Sequence, residues 1–212
     1  IYYKEQKRFE KSIKFFNKGI KLQKTLPNDD MKANLLHNMS GCYGSMGNFD
    51  KMLIYLEQSQ GIYEKLDDSI RLGNSYGEMG NAYKTALNNE QAMKYYEKAK
   101  QIFVSEEMNS SIAQLLILQS EIFLSMKDYK TTKHNLDEAS KISETFDIPM
   151  MEGRIYLAYA QLYDQEDKVD DAIDNLDEAL DIFMDINNKI RASDVLTMMG
   201  FLYVKKKKNK KA

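Results

Sequence analysis

The sequence predicts an all-α chain, an α-solenoid of antiparallel helix pairs with four complete pairs and partial units at both ends. Three observations lead there. Aromatic residues recur every forty positions, at Tyr3, Tyr43, Tyr83, Phe123, Tyr163 and Tyr203, with no insertion or deletion. Small residues keep the same step in three columns: Ser40, Gly80, Ser120, Ala160 and Gly200; Ala33, Gly73, Ala113, Gly153 and Ser193; Gly19, Ser59, Ala99, Ala139 and Ala179. An aliphatic column, Leu22, Ile62, Ile102, Ile142 and Ile182, runs beside them. Finally, 212 residues contain only two prolines, which suits a chain that is helical throughout.

The elements follow in order. Residues 1–28 form a partial unit that ends at the breakers Pro27-Asn28-Asp29. In unit 29–68, Leu36, Met39, Tyr43 and Met46 step by three and four and so share one helix face, before Gly47-Asn48 offers a helix end and a tight reversal. Unit 69–108 turns at Asn88-Asn89, and Met93, Tyr96, Ala99, Ile102 and Phe103 mark one face of its second helix. Unit 109–148 turns at Lys127-Asp128 and closes on Asp147-Ile148-Pro149. Unit 149–188 turns at Asp167-Lys168. Its second helix alternates Ile173, Leu176, Leu180 and Phe183 with Asp170, Asp171, Asp174, Asp177, Glu178, Asp181 and Asp185, a solvated face opposite a buried one. Residues 189–212 open a further first helix. Each helix is expected to hold ~16–18 residues, with a short turn inside each unit and a longer link between units. The small columns let helices cross closely, and the aromatic column is expected to fill the holes between them. Because the pattern starts and stops in mid-unit, residues 1–212 are expected to be a single array cut from a longer protein.

Met79-Gly80, Tyr83, Ala92, Tyr96 and Ala99 resemble the tetratricopeptide repeat, with its loose pattern of Leu-Gly, Tyr, Ala, Phe/Tyr and Ala. Met52 and Thr132 depart from the Ala92 column, and Gln119 from the Met79 column. The forty-residue unit is similar to the class found in bacterial signalling proteins and kinesin-light-chain-type adaptors. The resemblance implies a right-handed superhelix whose concave groove is lined by the first helix of each pair. It places one lining column at Asn34, Asn74, Gln114, Arg154 and Asp194, and another at Gly41, Asn81, Glu121, Gln161 and Phe201. Between them, His37-Asn38 and Gly77-Glu78 give way to the more apolar Ile117-Leu118, Leu157-Ala158 and Thr197-Met198. The candidate partner-binding residues are therefore Asn34, His37, Asn38, Asn74, Glu78, Asn81, Gln114, Glu121, Arg154 and Gln161. Amides both donate and accept, so they can hold a peptide backbone without reading its sequence. Where related arrays place lysines to clamp a chaperone's C-terminal carboxylate, this chain has His37 and Gly77, so that clamp is not expected.

The function classes narrow accordingly. A net charge of −2 argues against nucleic acid as a partner. No apolar run reaches the ~18–20 residues of a membrane span; Ile112 to Leu124 is interrupted by Gln114, Gln119, Ser120 and Glu121. The single cysteine, Cys42, cannot form an internal disulfide and reads as a buried structural thiol, which fits a cytoplasmic location. His37 and His134 lie in different units without ligand or triad spacing, so neither a metal nor catalysis is expected. Neither GxxxxGK[ST] nor GxGxxG occurs, so no cofactor is expected. The run KKKKNKK, residues 205–211, falls in the register of the earlier turns and is expected to be a solvated turn, with an anion-binding patch as the alternative. The expectation is a non-catalytic scaffold for a protein or peptide. The alternatives are the sensory or regulatory input segment of a larger bacterial signalling protein (histidine kinase, nucleotide cyclase or transcription regulator) and self-association through the end repeats.

Overall fold

A computed structural model describes the backbone of residues 2–23, 25 and 27–209 and, within that set, the side chains of residues 7–207. The Tyr3 side chain, Lys210, Lys211 and the chain ends lie outside the described residues. Ten helices are described: α1 (Tyr2–Leu22), α2 (Asp29–Ser45), α3 (Phe49–Lys65), α4 (Ser69–Thr85), α5 (Asn89–Ser105), α6 (Asn109–Ser125), α7 (Tyr129–Thr145), α8 (Pro149–Gln165), α9 (Val169–Asp185) and α10 (Lys189–Asn209). The eight from α2 to α9 are each 17 residues long. The chain divides into two compact units, Ile1–Glu106 and Glu107–Ala212.

One connection is used throughout. A residue in the left-handed region follows each helix from α2 to α9: Gly47, Asp67, Leu87, Glu107, Lys127, Asp147, Asp167 and Asn187. The next N–H usually reaches back five residues, as Asn48 does to the Tyr43 carbonyl (2.9 Å) and Asn88 to the Tyr83 carbonyl (2.9 Å). This is the Schellman closure, which satisfies the last carbonyls of the helix. The following residue then caps the next helix: Asn48, Asp68, Asn88 and Asp128 each accept the backbone N–H three residues on. The expected longer links between units are therefore not found after α2; within and between pairs the link has the same three residues. Only one residue per link must be left-handed, and Asp, Asn, Glu, Lys and even Leu fill that place as well as Gly. The connection 23–28 between α1 and α2 is the longer one, and there Asn28 caps α2 after Pro27.

In the first unit α2 pairs with α3 and α4 with α5, while α1 packs on α2 and α3 on α4. In the second, α6 pairs with α7 and α8 with α9, α10 packs on α9, and the two first helices α6 and α8 touch directly. The small columns are buried from α2 to α9, where Ala33, Ser40, Ser59, Ala99, Ala113, Ala139 and Ala179 are all fully enclosed; towards the ends Gly19 is half-buried and Ser193 and Gly200 on α10 are exposed. What fills the holes differs from expectation. A Cβ on Gly80 would lie 2.4 Å from the Tyr96 ring, on Gly73 2.9 Å from Phe103, and on Gly153 2.8 Å from Phe183. The filling rings thus come from second helices. In the predicted aromatic column Tyr43, Tyr83, Phe123 and Tyr163 are only half-buried and Tyr203 is exposed, and Tyr43 and Tyr83 instead stack on Tyr55 and Tyr95 at 5.3 and 5.4 Å. Tyr43 and Tyr83 lie in the last turn of α2 and α4, two residues before the helix ends.

The run from Lys205 is also corrected. Its described part, through Asn209, continues α10 as helix and makes no turn. Lysine is a good helix former. In addition, Lys205 pairs with Asp164 (2.8 Å) and Asp167 (2.9 Å), and Lys206 with Asp170 (2.5 Å). These carboxylates, at the α8–α9 turn and the start of the acidic helix, hold the last turns of α10 in register. The seven acidic side chains of α9 are otherwise exposed, over the buried Ile173, Leu176 and Phe183.

Candidate functional site

In the first unit, α2 and α4 lie side by side and bring two rows of polar residues together. Residues three and four apart share a helix face; α2 presents Asn34, His37, Asn38 and Gly41, and α4 presents Asn74, Gly77, Glu78 and Asn81. Asn38, Asn74 and Asn81 are exposed. His37 Nε2 meets Glu78 Oε1 at 3.3 Å across the two helices, and the imidazole sits edge-on to Tyr63 at 6.2 Å. The Glu78 hydrogen bond raises the His37 pKa above its ordinary value against the opposing effect of burial. His37 Nδ1 is buried with no hydrogen-bond partner.

Two of the predicted amides are already engaged. Asn81 Oδ1 accepts the Tyr96 hydroxyl at 2.7 Å. Asn34 Oδ1 accepts Arg71 Nη1 at 2.9 Å. Arg71 is the centre of a network the sequence reading did not find. Its Nη1 meets Asp30 Oδ1 at 2.5 Å, its Nε donates to Asp68 Oδ2 at 2.5 Å, and its guanidinium lies over the Tyr63 ring at 5.3 Å. Burial alone pulls the Arg71 pKa down, but the bonds to Asp30 and Asp68 outweigh it and the value ends above the ordinary one. The signal was present in the chain. Asp68 and Arg71 stand as cap and third helical residue, and Asp30 and Asn34 are four apart on the neighbouring first helix.

In the second unit, Gln114 and Glu121 on α6 and Arg154 on α8 are half-buried, and Gln161 is exposed. Burial lowers the Arg154 pKa, Arg191 lowers it further, and Glu121 acts in the opposite direction. The apolar residues between the columns are packed inward more than left open: Ile117 and Ala158 are buried and Leu118 and Leu157 half-buried. Cys42 is only partly buried, which corrects the expectation of a buried thiol; burial still raises its pKa and keeps it protonated. His134 is exposed. Among the described residues no group of three His, Cys, Asp or Glu is placed to hold a metal ion, and no helix is long and apolar enough to cross a membrane.

Comparison with known proteins agrees with the helical-repeat fold. No curated protein matches the chain. Among solved structures, it resembles a signal transduction ATPase with numerous domains that carries a tetratricopeptide repeat sensor, from Pyrococcus horikoshii: 23% identity, TM-score 0.73, 96% of this chain and 32% of that one. Aspartyl phosphate phosphatase F from Bacillus subtilis gives 18% identity, TM-score 0.79, 92% of this chain and 52% of that one. A Rap protein complexed with Competence and Sporulation Factor gives 14% identity, TM-score 0.64, 96% and 61%. The chain thus spans about a third of the first and half of the second, and these likenesses show the tetratricopeptide-like helical-repeat fold. Residues 1–148 match the family described as SNAP, soluble NSF attachment protein. With more than half of its length in that match, the chain belongs to the SNAP family of helical-repeat proteins.

Proposed function

We propose that the chain is a non-catalytic interaction scaffold whose first-helix faces each bind an extended segment of a protein partner. The observation that carries this is the pair of exposed amides, Asn38 on α2 and Asn74 on α4, beside the cross-helix His37–Glu78 pair. An amide offers both a donor and an acceptor to a peptide backbone. Gln114, Glu121, Arg154 and Gln161 form the corresponding face of the second unit. The family name describes attachment to NSF, and the Rap relative is complexed with a factor, so both names support a macromolecular or peptide partner. Selection of a random peptide library on the 212-residue protein tests the reading. Peptides recovered on the first unit should lose about tenfold in affinity against an Asn38→Ala/Asn74→Ala variant of unchanged melting temperature. Equal affinity for both proteins sinks the proposal.

A second reading, an input segment of a larger signalling protein, draws on the relative whose repeats are called a sensor and of which this chain covers 32%. It includes the idea that residues 1–212 are one array within a longer protein. Sequencing the parent reading frame decides it: an in-frame kinase, cyclase or DNA-binding domain supports it, and a stop codon and start codon at the chain's own limits removes it.

A further inference from the structure

The Arg71 network has a register-equivalent three repeats later, with nearly every acceptor removed. Stepping by three units of forty places Arg191 where Arg71 stands, Arg154 where Asn34 stands, Met150 where Asp30 stands, Asn188 where Asp68 stands and Phe183 where Tyr63 stands. The helices match as well: α2 and α4 begin at Asp29 and Ser69, α8 and α10 at Pro149 and Lys189.

The local backbone geometry is kept while the chemistry is reversed. Asn188 Oδ1 accepts the Arg191 backbone N–H at 3.1 Å, as Asp68 Oδ1 accepts that of Arg71 at 3.0 Å. The second oxygen of Asp68, which holds Arg71 Nε, is replaced by the Asn188 amide nitrogen, a donor that turns to Met150 Sδ at 3.8 Å. Asp30, which holds Arg71 Nη1 at 2.5 Å, is replaced by the thioether of Met150. Asn34 Oδ1, the remaining acceptor of Arg71 Nη1, is replaced by a second guanidinium, and Arg191 lies near enough to Arg154 to repel it. The Tyr63 hydroxyl has no counterpart on Phe183. Two carboxylates stand near. Glu121 on α6 attracts Arg154, and Asp194 lies 3.8 Å from Arg191 Nη1 in an exposed pair. Exposed pairs of that kind are weak, because solvent screens both charges. Arg154 Nη1 is otherwise placed against Met151 Sδ at 3.7 Å.

We propose that Arg154 and Arg191 form a carboxylate-binding subsite on the first-helix face of the second unit, taking from a partner the acid that Asp30 and Asp68 supply to Arg71 within the chain. Guanidinium forks match a carboxylate through two parallel hydrogen bonds. The subsite deepens the scaffold reading and rests on it.

The test uses two probes on the whole chain: an N-acetylated, C-amidated hexaglutamate peptide, and an N-acetylated tetraglycine with a free C-terminal carboxylate. Arginine side-chain resonances and calorimetry report binding to the wild type, Arg191→Gln and Met150→Asp. Hexaglutamate should shift the Arg154 and Arg191 signals, and both variants should weaken it by at least about tenfold. Met150→Asp should also raise the melting temperature, because the new carboxylate meets Arg191 as Asp30 meets Arg71. Tetraglycine binding at the same signals identifies a chain terminus as an acceptable source, and its failure beside hexaglutamate success assigns the site to acidic side chains. Lack of hexaglutamate binding, or equal binding to all three proteins, overturns the subsite. If library peptides still depend on Asn38 and Asn74 in that event, the scaffold reading stands without it.

Discussion

The hairpin α4–α5 in the first unit and α8–α9 in the second are built on one template two repeats apart, yet they meet its crossing point differently. In α4–α5 a glycine, Gly80, faces the fully buried ring of Tyr96. In α8–α9 the same columns hold Ala160 and Leu176, both fully enclosed in one core cluster. Ser40 with Leu56 and Ser120 with Leu136 follow the second pattern, and all four are buried. The small column and the large column thus trade volume. Where the small residue loses its Cβ, the large one gains a ring. A single repeat template tolerates sequence drift because the conserved quantity is the summed volume at the crossing.

Converting α4–α5 residue by residue into α8–α9 tests that statement. The largest effect is expected from Gly80→Ala. Its Cβ would fall 2.4 Å from Cδ1 and Cε1 of a ring with no room to move. Overpacking of this kind costs about 1–3 kcal/mol, against which alanine regains about 1 kcal/mol of helix propensity. A net loss of up to about 2 kcal/mol should appear in chemical denaturation. Adding Tyr96→Leu should return most of it, since Ala opposite Leu is the packing α8–α9 already uses. If the double variant is no more stable than the single one, the volume exchange is not what relates the hairpins.

Ser75 is the next difference. It occupies the column of Leu35, Leu115, Ile155 and Val195, is fully buried, and its hydroxyl has no hydrogen-bond partner. An unpartnered buried hydroxyl costs about 1–3 kcal/mol, so Ser75→Ala should stabilise the chain by about 1 kcal/mol. An unchanged or lower denaturation midpoint would mean that the hydroxyl is bound, for instance by an enclosed water.

How much of this was legible in the sequence follows from what each feature needs. Period, helix length and the buried small columns were legible, because close crossings admit few residue types. The uniform three-residue link was not, because its left-handed residue ranges from Gly47 to Leu87 to Lys127 and leaves no compositional trace. The source of the filling rings was missed for a related reason. Tyr83 keeps register as well as Phe103 does, and register alone does not separate a ring in the crossing from one stacked at its edge. At the candidate site, the polar face of α2 and α4 was foreseen, but its amides were counted as free. Asn34 is held by Arg71, a residue in a column that alternates Met31, Arg71, Ser111, Met151 and Arg191 and so gave no periodic signal.

The third conversion is Glu78→Ala, which gives α4 the residue of Ala158. It removes the partner that raises the His37 pKa and leaves burial to lower it. A histidine with a raised folded pKa adds stability that is fully present below the unfolded value of about 6.5 and is lost as pH rises through the folded one. The variant should therefore be less stable than wild type near about pH 5.5 and closely similar near about pH 8.5. A difference that does not narrow with rising pH would assign the effect to packing instead of charge.

The smallest effect belongs to the link. Leu87 holds φ of 58° and is 87% exposed, while its α8–α9 equivalent, Asp167, holds 61°. A left-handed backbone presses Cβ towards the following carbonyl, a strain of about 1–2 kcal/mol that Asp and Asn reduce by local hydrogen bonding. The exposed Leu87 side chain has little burial to offset this strain. Leu87→Asp should raise stability by about 0.5 kcal/mol with no change in cooperativity. A loss would show that Leu87, despite its exposure, contributes an apolar contact at the helix end that Asp167 does not need. The links would then be equivalent in backbone alone.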